Sequence, residues 1–429
     1  MPRKQLSRRR FLQASAAAGV ATPIVMSTPL YGQARKPPSE RITLGFIGVG
    51  TMGRYHLHSF LGNPEVHVVA VCDVVKERLE QAQKDVQQRY AQQKGKGSYG
   101  GCQAYHDFHD LLGSEEIDAV VIATPDHWHA IPCVEAARAG KDIYCEKPLT
   151  LAIAQGQAIV REVRESEVVF QTGSQQRTEF GGFFRKAVEL VRNGHIGQVK
   201  TVRIGVGAPA MPCDLPTQPV PPGTDWDFWL GPAPKRGYND ILCPKGIHKH
   251  FPAWRNYREY AGGLLADMGA HHFDIAQWSL GMDKTGPVKI EPPPKGNSGL
   301  KFTYANGIEM YHGGPTDCTF EGTEGTIFVS RGKLWSKPER IAEQPLAPGD
   351  LRCYPANNHH KNWLDCIRSR QDPICTAEIG HRSATICHLA NIGYQLRRPL
   401  CWDPAKERFA DEEAANKLVD RELRTPWKL

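Results

Sequence analysis

The stretch that most restricts what this chain can fold into is Gly45-Phe46-Ile47-Gly48-Val49-Gly50-Thr51-Met52-Gly53. It follows the apolar run Ile42-Thr43-Leu44, so a strand enters a glycine turn and the turn opens a helix. Gly48, Gly50 and Gly53 stand in G-x-G-x-x-G order. The first glycine permits a tight turn, the second lets a pyrophosphate approach the backbone, and the third lets helix and strand close on each other. The free N–H groups and positive dipole end of the helix then face the phosphates. With 41 glycines in the chain, the triplet alone decides little. The next strand, from Val66, decides more, because it ends in Cys72-Asp73. An acid about 20 residues beyond the last glycine accepts hydrogen bonds from the adenosine ribose diol and repels a 2′-phosphate. The turn is therefore read as a site for NAD rather than NADP, with Gly48, Gly50, Thr51, Met52, Gly53 and Asp73 against the cofactor.

From Arg41 onward short apolar strands alternate with amphipathic helices. Strands are expected at 43–47, 66–72, 119–123, 142–145 and 168–172, with helices at 51–61, 76–93, 129–139 and 151–164 between them. That alternation means an α/β fold with a doubly wound parallel sheet, whose ligands bind beyond the carboxyl ends of the strands. Those tails are Thr124-Pro125-Asp126-His127-Trp128-His129 and Glu146-Lys147-Pro148. After a helix at 183–192 the texture changes. A half-buried strand at 199–206 precedes a long segment rich in Pro, Trp and Gly, 208–260, and a loop of that length is usually functional. Short strands at 288–290, 300–304, 308–312, 318–321 and 326–329 are expected to form an antiparallel sheet, and the charged tail beyond Trp402 to be peripheral. The domains predicted are 41–175, 176–402 and the tail 403–429.

A chain of 429 residues holds two or three domains. The formal charge of +7 includes Arg3, Lys4, Arg8, Arg9 and Arg10, and without those five the chain is close to neutral. No general affinity for nucleic acid or an anionic membrane follows. Ser7-Arg8-Arg9-Arg10-Phe11-Leu12 has the pattern of a twin-arginine export signal, and the apolar run after it, 14–26, is too short for a permanent membrane span. Residues 1–34 are thus expected to be a signal peptide, cleaved near Gln33-Ala34, and the protein to be periplasmic. Because that route carries folded proteins, the cofactor is expected to be bound before export and recycled in place. The 12 cysteines are scattered without a C-x-x-C, so few or no disulfides are expected.

Two groups of residues suit chemistry. Lys147 ends a buried strand beside Pro148, which pushes it out of the helical region and aims its side chain. An ammonium there could lower the pKa of a substrate hydroxyl or polarise a carbonyl. Glu146 faces the other way along the extended segment. Further on, Asp267, His271 and Asp274 are spaced i, i+4 and i+7, one face of a helix that stops at Gly281, while His272 turns elsewhere. An aspartate one turn from a histidine can fix its tautomer, which suits a base that takes a hydroxyl proton. No H-E-x-x-H or paired C-x-x-C supports a metal among the 17 histidines, and no G-x-S-x-G elbow supports a serine hydrolase.

The strand–GVGTMG–helix opening, Glu146-Lys147-Pro148 and the D-x-x-x-H of Asp267 and His271 together resemble the Gfo/Idh/MocA family of nicotinamide-dependent sugar and cyclitol oxidoreductases. The likeness runs from about Arg41 to the end and includes WDFWLGPAP at 226–234. It implies a Rossmann domain followed by an α/β domain with an open antiparallel sheet that mediates homodimers or homotetramers. It assigns catalysis to Lys147, Asp267 and His271, and places Thr124, Pro125, His129, Glu146 and Lys147 against NAD. Arg177, His248, Arg255 and Asp274 are its substrate contacts, and the Pro/Trp segment would offer aromatic faces to a sugar. Two alternatives stay open: a glycosidase working by transient oxidation and elimination, and a non-catalytic NAD-binding sugar sensor.

Overall fold

A computed structural model of the protein describes residues 40–94 and 100–429. The twin-arginine segment and its expected cleavage point lie outside the described residues.

The first domain is built from β1 (Ile42–Ile47), α1 (Thr51–Leu61), β2 (Val66–Cys72), α2 (Lys76–Lys94), β3 (Gln103–Tyr105), α3 (Phe108–Leu112), β4 (Ala119–Ile122), α4 (Ala130–Arg138), β5 (Asp142–Cys145), α5 (Ile153–Ser166) and β6 (Phe170–Thr172). All six strands are parallel in the order β3-β2-β1-β4-β5-β6. Helices cover both faces, which is why β4 and β5 are buried at every position and are apolar runs rather than alternating ones. The strand order reverses between β1 and β4, and the crevice beyond their carboxyl ends is where such a sheet takes its ligand. β3 was not expected. It has three half-exposed or exposed residues and no apolar run to announce it.

The chain then continues through α6 (Phe183–Arg192), β7 (Val199–Ile204), α7 (Trp226–Leu230), α8 (Gly263–Leu280), β8 (Lys289–Glu291), β9 (Lys301–Thr303), β10 (Glu309–His312), β11 (Cys318–Gly322), β12 (Thr326–Val329) and β13 (Leu334–Lys337). It closes with α9 (Arg340–Glu343), α10 (His359–Ser369), α11 (Ala377–Leu396), β14 (Leu400–Asp403), β15 (Arg408–Phe409) and α12 (Glu413–Asn416). Nine strands form one sheet, β13-β12-β11-β7-β10-β9-β8-β14-β15. The expected antiparallel sheet is in fact mixed, since β7 and β10 pair in parallel. A parallel pair needs a long crossover, and the chain between them, including 208–260 and α8, provides it. Phe184 of α6, Phe273 of α8 and Leu389 of α11 pack with Val202, Phe302 and Phe320 of the sheet into one core.

Two further expectations change. The tail is not peripheral: Phe409 and Ala415 are buried, and Trp427 stacks on Phe228 with ring centroids 5.4 Å apart. The division near residue 176 is also incomplete, because α10 returns to the first domain and buries Trp363 and Leu364 among Leu44, Phe46 and Phe60. All twelve cysteines are free thiols, with Cys213 half-buried and Cys401 exposed. Among the described residues no helix is long and apolar enough to cross a membrane.

Candidate active site

The glycine turn is shaped for close contact. Gly48 sits at φ +84°, and a Cβ on Gly53 would lie 2.0 Å from the Gly48 carbonyl oxygen. A Gly53→Ala chain must therefore push α1 away from the turn; we expect a stability loss of about 1–3 kcal/mol and purified protein without nucleotide, read by denaturant titration and by absorbance of an acid extract. Around a Cβ on Gly50, by contrast, there is open space. α1 starts with no side-chain cap and no acidic residue in its first turn, so its N–H groups are left for an anion. Asp73 accepts from the backbone N–H of Val49 through Oδ2 and of Val75 through Oδ1, both at 2.9 Å. Each carboxylate oxygen keeps a lone pair for a ribose hydroxyl. Thr124 Oγ1, on the tail of β4, is buried with no partner among the described residues. Cradle, acid and orphaned hydroxyl together fit NAD.

A cavity of about 530 Å³ runs from this turn into the space between the domains. Gly48, Gly50, Thr51, Met52, Asp73, Thr124, Pro125, Glu146 and Lys147 line it from the first domain, and His248, Arg255, Asp267 and His271 from the second. Lys147 leaves β5 and reaches α8, where its Nζ donates to the Asp267 carbonyl at 2.7 Å and to Asp267 Oδ1 at 2.9 Å. Arg255 Nε lies 3.6 Å from the same oxygen, and its guanidinium stacks 4.2 Å from the Trp254 ring. Burial works against a charge on Asp267, but Lys147 and then Arg255 outweigh it and hold the carboxyl below its ordinary range. His271, one turn along, is buried, and its pKa is pushed well below the usual imidazole value by desolvation and by the Lys147 charge. It is neutral at pH 7, and its Nδ1 is sealed with no partner among the described residues, which leaves Nε2 for a ligand. The aspartate thus orients the lysine, not the histidine.

Glu146 turns away from Lys147 Nζ, as an extended segment requires. Burial raises its pKa, yet the His56 hydrogen bond, His56 and Lys147 charges and Gln175 together bring it below the ordinary value.

Four expected contacts sit elsewhere. Arg177 and Asp274 do not line the cavity. Arg177 Nε and Nη2 clasp Asp274 at 2.8 Å, Nη2 also bonds Asp283 Oδ1 at 2.7 Å, and Ser383 donates to Asp274. Both residues are buried, Arg177 at 1% exposure and Asp274 at 0%, so this is an ion pair of the core rather than a substrate contact. Arg177 lies in the irregular segment after β6 and Asp274 one turn too far along α8 to face the cavity. His129 is likewise behind the wall, its ring nitrogens 2.8 Å from the Pro148 carbonyl and 2.9 Å from the Thr124 carbonyl. It holds the two strand tails together instead of touching cofactor. Gly53 supports the turn from beneath. His248 does line the cavity, at the glycine turn, 3.3 Å from Thr51 Oγ1.

Much of the Pro/Trp segment is a small core of its own: Trp226 stacks on Trp229 at 4.7 Å over Tyr238 and Tyr260. Its Trp229 carbonyl receives Trp128 Nε1–H at 2.9 Å, which docks the segment on the β4 tail. Phe251 and Trp254 line the cavity and pack on Arg255, the neighbour of Asp267, whose guanidinium lies 5.0 and 4.2 Å from their rings. Sequence reasoning missed Tyr55, Phe180 and Arg331, also on the cavity wall, because no local pattern marks them. Asp126, buried and on the wall with its pKa raised to about 6 by desolvation, could have been singled out from its place in a strand tail. Among the described residues no group of three or more His, Cys, Asp or Glu is arranged to hold a metal ion.

A six-stranded parallel sheet, a glycine cradle and an acid at the end of β2 define a dinucleotide-binding oxidoreductase fold joined to a second α/β domain. The family model for the NAD-binding Rossmann fold of the Gfo/Idh/MocA oxidoreductases matches residues 42–174, and that for their C-terminal alpha/beta domain matches 210–429. The chain belongs to the Gfo/Idh/MocA oxidoreductase family. It is 26% identical over 364 residues to the scyllo-inositol 2-dehydrogenase (NAD(+)) of Bacillus subtilis, covering 79% of this chain and 89% of that protein. It is 26% identical over 238 residues to the myo-inositol 2-dehydrogenase of Thermotoga maritima, 56% of this chain and 54% of that one. A glycosyl hydrolase family 109 protein of Saccharopolyspora erythraea is 29% identical over 210 residues, 45% and 44% of the two chains. The chain therefore spans about half the length of several curated relatives that it matches. Among solved structures, the WlbA dehydrogenase of Bordetella pertussis with NADH and UDP-GlcNAcA superposes with a TM-score of 0.58 at 17% identity, covering 85% of this chain and 99% of that one. The aldose-aldose oxidoreductase of Caulobacter crescentus follows at 0.56 and 18%, covering 84% and 99%.

Proposed function

We propose that this protein oxidises a hydroxyl of a sugar, cyclitol or glycoside with a tightly held NAD, and that Lys147, Asp267 and His271 perform the acid–base work. The observation that carries this reading is the meeting of an ammonium and a neutral imidazole from separate domains on the wall of the cavity that begins at the glycine cradle. The glycine turn and Asp73 would hold NAD, which would supply the hydride acceptor for the carbinol carbon. Lys147 Nζ, with two of its hydrogens on Asp267, presents the third to the substrate oxygen and lowers the cost of its deprotonation. His271 takes the hydroxyl proton on Nε2, and Asp267 with Arg255 keeps the ammonium in place. Phe251 and Trp254 offer apolar faces to the sugar C–H groups.

Tight retention is supported by what covers the cradle. Thr51 Oγ1 donates to the His250 carbonyl at 2.9 Å and Arg78 Nε to the Gly246 carbonyl at 3.0 Å. Arg54 donates to the His248 carbonyl, and Arg78 also to the Pro244 carbonyl. Residues 242–252 thus lie across the cofactor end of the cavity, held by side chains of the first domain. Arg78→Ala should loosen this cover and speed NAD loss, measured as nucleotide remaining after prolonged dialysis; Arg331→Ala, which leaves the cover intact, should not. A cofactor enclosed in this way also favours the redox-neutral cycle, in which a glycoside is oxidised, loses its aglycone and is reduced again. Export to the periplasm and assembly into a homodimer or homotetramer through the large sheet belong to the same proposal.

The test is to denature the purified protein, identify the released nucleotide, and screen sugars, inositols and nitrophenyl glycosides for ketone formation and aglycone release. Ketone with net reduction of NAD supports the dehydrogenase. Aglycone without net reduction supports the glycosidase. Absence of nucleotide and of both products contradicts the proposal.

A further inference from the structure

Oxidising a carbinol sends a hydride to NAD and leaves one proton from the hydroxyl to be discharged. His271 is a poor place to store it, because burial and Lys147 both oppose a charge on its ring. On the cavity wall Glu146 is a carboxylate with a connection outward. Glu146 Oε1 lies 2.8 Å from His56 Nε2, His56 Nδ1 lies 2.8 Å from His360 Nε2, and His360 Nδ1 lies 3.2 Å from Ser59 Oγ. His56 is fully buried, His360 half-buried and Ser59 exposed. Resting on the oxidoreductase reading above, we infer that Glu146, His56, His360 and Ser59 form a proton exit from the reaction cavity to solvent.

The chain has the two properties a relay needs. Each imidazole engages both ring nitrogens, so it can receive on one and give on the other. With Glu146 ionised, every hydrogen points inward: Ser59 O–H to His360, His360 Nε2–H to His56, His56 Nε2–H to Glu146. With Glu146 protonated and both rings in the other tautomer, every hydrogen points outward. As Glu146 gives up its proton each hydrogen moves one place along the chain, and one proton emerges at Ser59. The ionised carboxylate with two neutral rings and inward hydrogens is restored, the rings exchanging tautomers before the next turnover. Reduction of a ketone would run the same chain inward. Burial and the neighbouring His56 lower the His360 pKa to about 2, so it transmits rather than holds charge. The surroundings keep the alignment. The Phe60 ring lies 4.3 Å from His360 and the Tyr144 ring 5.2 Å from His56. Residue 173 must be glycine here, since a Cβ would fall 2.6 Å from Glu146 Oε1. Gln175 Nε2, 2.7 Å from that oxygen, fixes the carboxylate from the other side.

Substituting His360→Phe keeps a ring against Phe60 and removes both relay nitrogens; His360→Asn serves if the phenylalanine variant does not fold. The first measurement needs no substrate. In full-length, NAD-loaded protein with isotope-labelled histidine, exchange of the His56 imidazole N–H with deuterated water is followed by NMR. The variant is expected to exchange more slowly by on the order of tenfold or more, because the sealed ring loses its path, whereas a merely loosened structure would exchange faster. Unchanged or faster exchange overturns the relay. The second measurement mixes the same proteins with scyllo-inositol and follows nicotinamide reduction alongside a pH-indicator dye. In wild type the two signals are expected to coincide; in the variant the dye should lag, and added imidazole should shorten the lag. Coincident signals in the variant also overturn the relay. If wild type does not turn over, the oxidation proposal is in question for this polyol and the exchange measurement alone judges the path.

Discussion

Lys147→Met is expected to lower turnover about a thousandfold while the nucleotide content of the purified protein stays unchanged. The side chain's hydrogen bonds go to Asp267 on the other domain rather than to the glycine cradle. Methionine fills similar space, so the cavity keeps its shape while the donor to the substrate oxygen is gone. Asp267 loses its strongest partner but keeps Arg255 at 3.6 Å, so burial will raise its pKa without leaving it unpaired. A loss confined to KM, or a parallel loss of bound nucleotide, would mean that Lys147 is a binding or structural residue. The comparison is made by steady-state kinetics on any substrate found in the screen, with nucleotide measured in the same preparations.

Arg177→Met should act on stability and not on the reaction. Arg177 is enclosed by Asp274 and Asp283 with the Trp278 ring 4.8 Å beneath it. Burial alone would lower the guanidinium pKa, and the two carboxylates reverse that and raise it well above its ordinary value. Removing one partner of a buried pair strands the other charge, and Asp274 is 0% exposed. The expected cost is about 3–5 kcal/mol, read as a lower denaturation midpoint. KM measured on the protein that remains folded should be close to wild type. A raised KM without a stability loss would restore Arg177 to the substrate site.

What could be read in the sequence was local. The β1–turn–α1 unit, Asp73 and the Glu146-Lys147-Pro148 tail each depend on a few consecutive residues or one fixed spacing, and their positions follow from backbone geometry. The period of α8 put Asp267 and His271 on one face for the same reason. That period could not say where the face ends. Asp274 continues it on paper, but the partner that claims it, Arg177, is 97 residues away. The parallel pairing of β7 with β10 is equally hidden, since alternation along a strand reveals burial and not the direction of its neighbour. His56 and His360 meet across 304 residues, and nothing near either marks it as more than a core histidine. Contacts of that kind are set by packing, which a single sequence does not display.

The most direct test is to mix the protein as purified, with its own nucleotide and none added, with scyllo-inositol and then with the glycosides from the screen, while recording the absorbance band of reduced nicotinamide. The band is expected to grow on mixing with a true substrate, to no more than one equivalent of bound cofactor, and to grow about a thousandfold more slowly in Lys147→Met protein carrying the same nucleotide. Growth of the band at wild-type rate in the Lys147→Met protein would contradict the proposal.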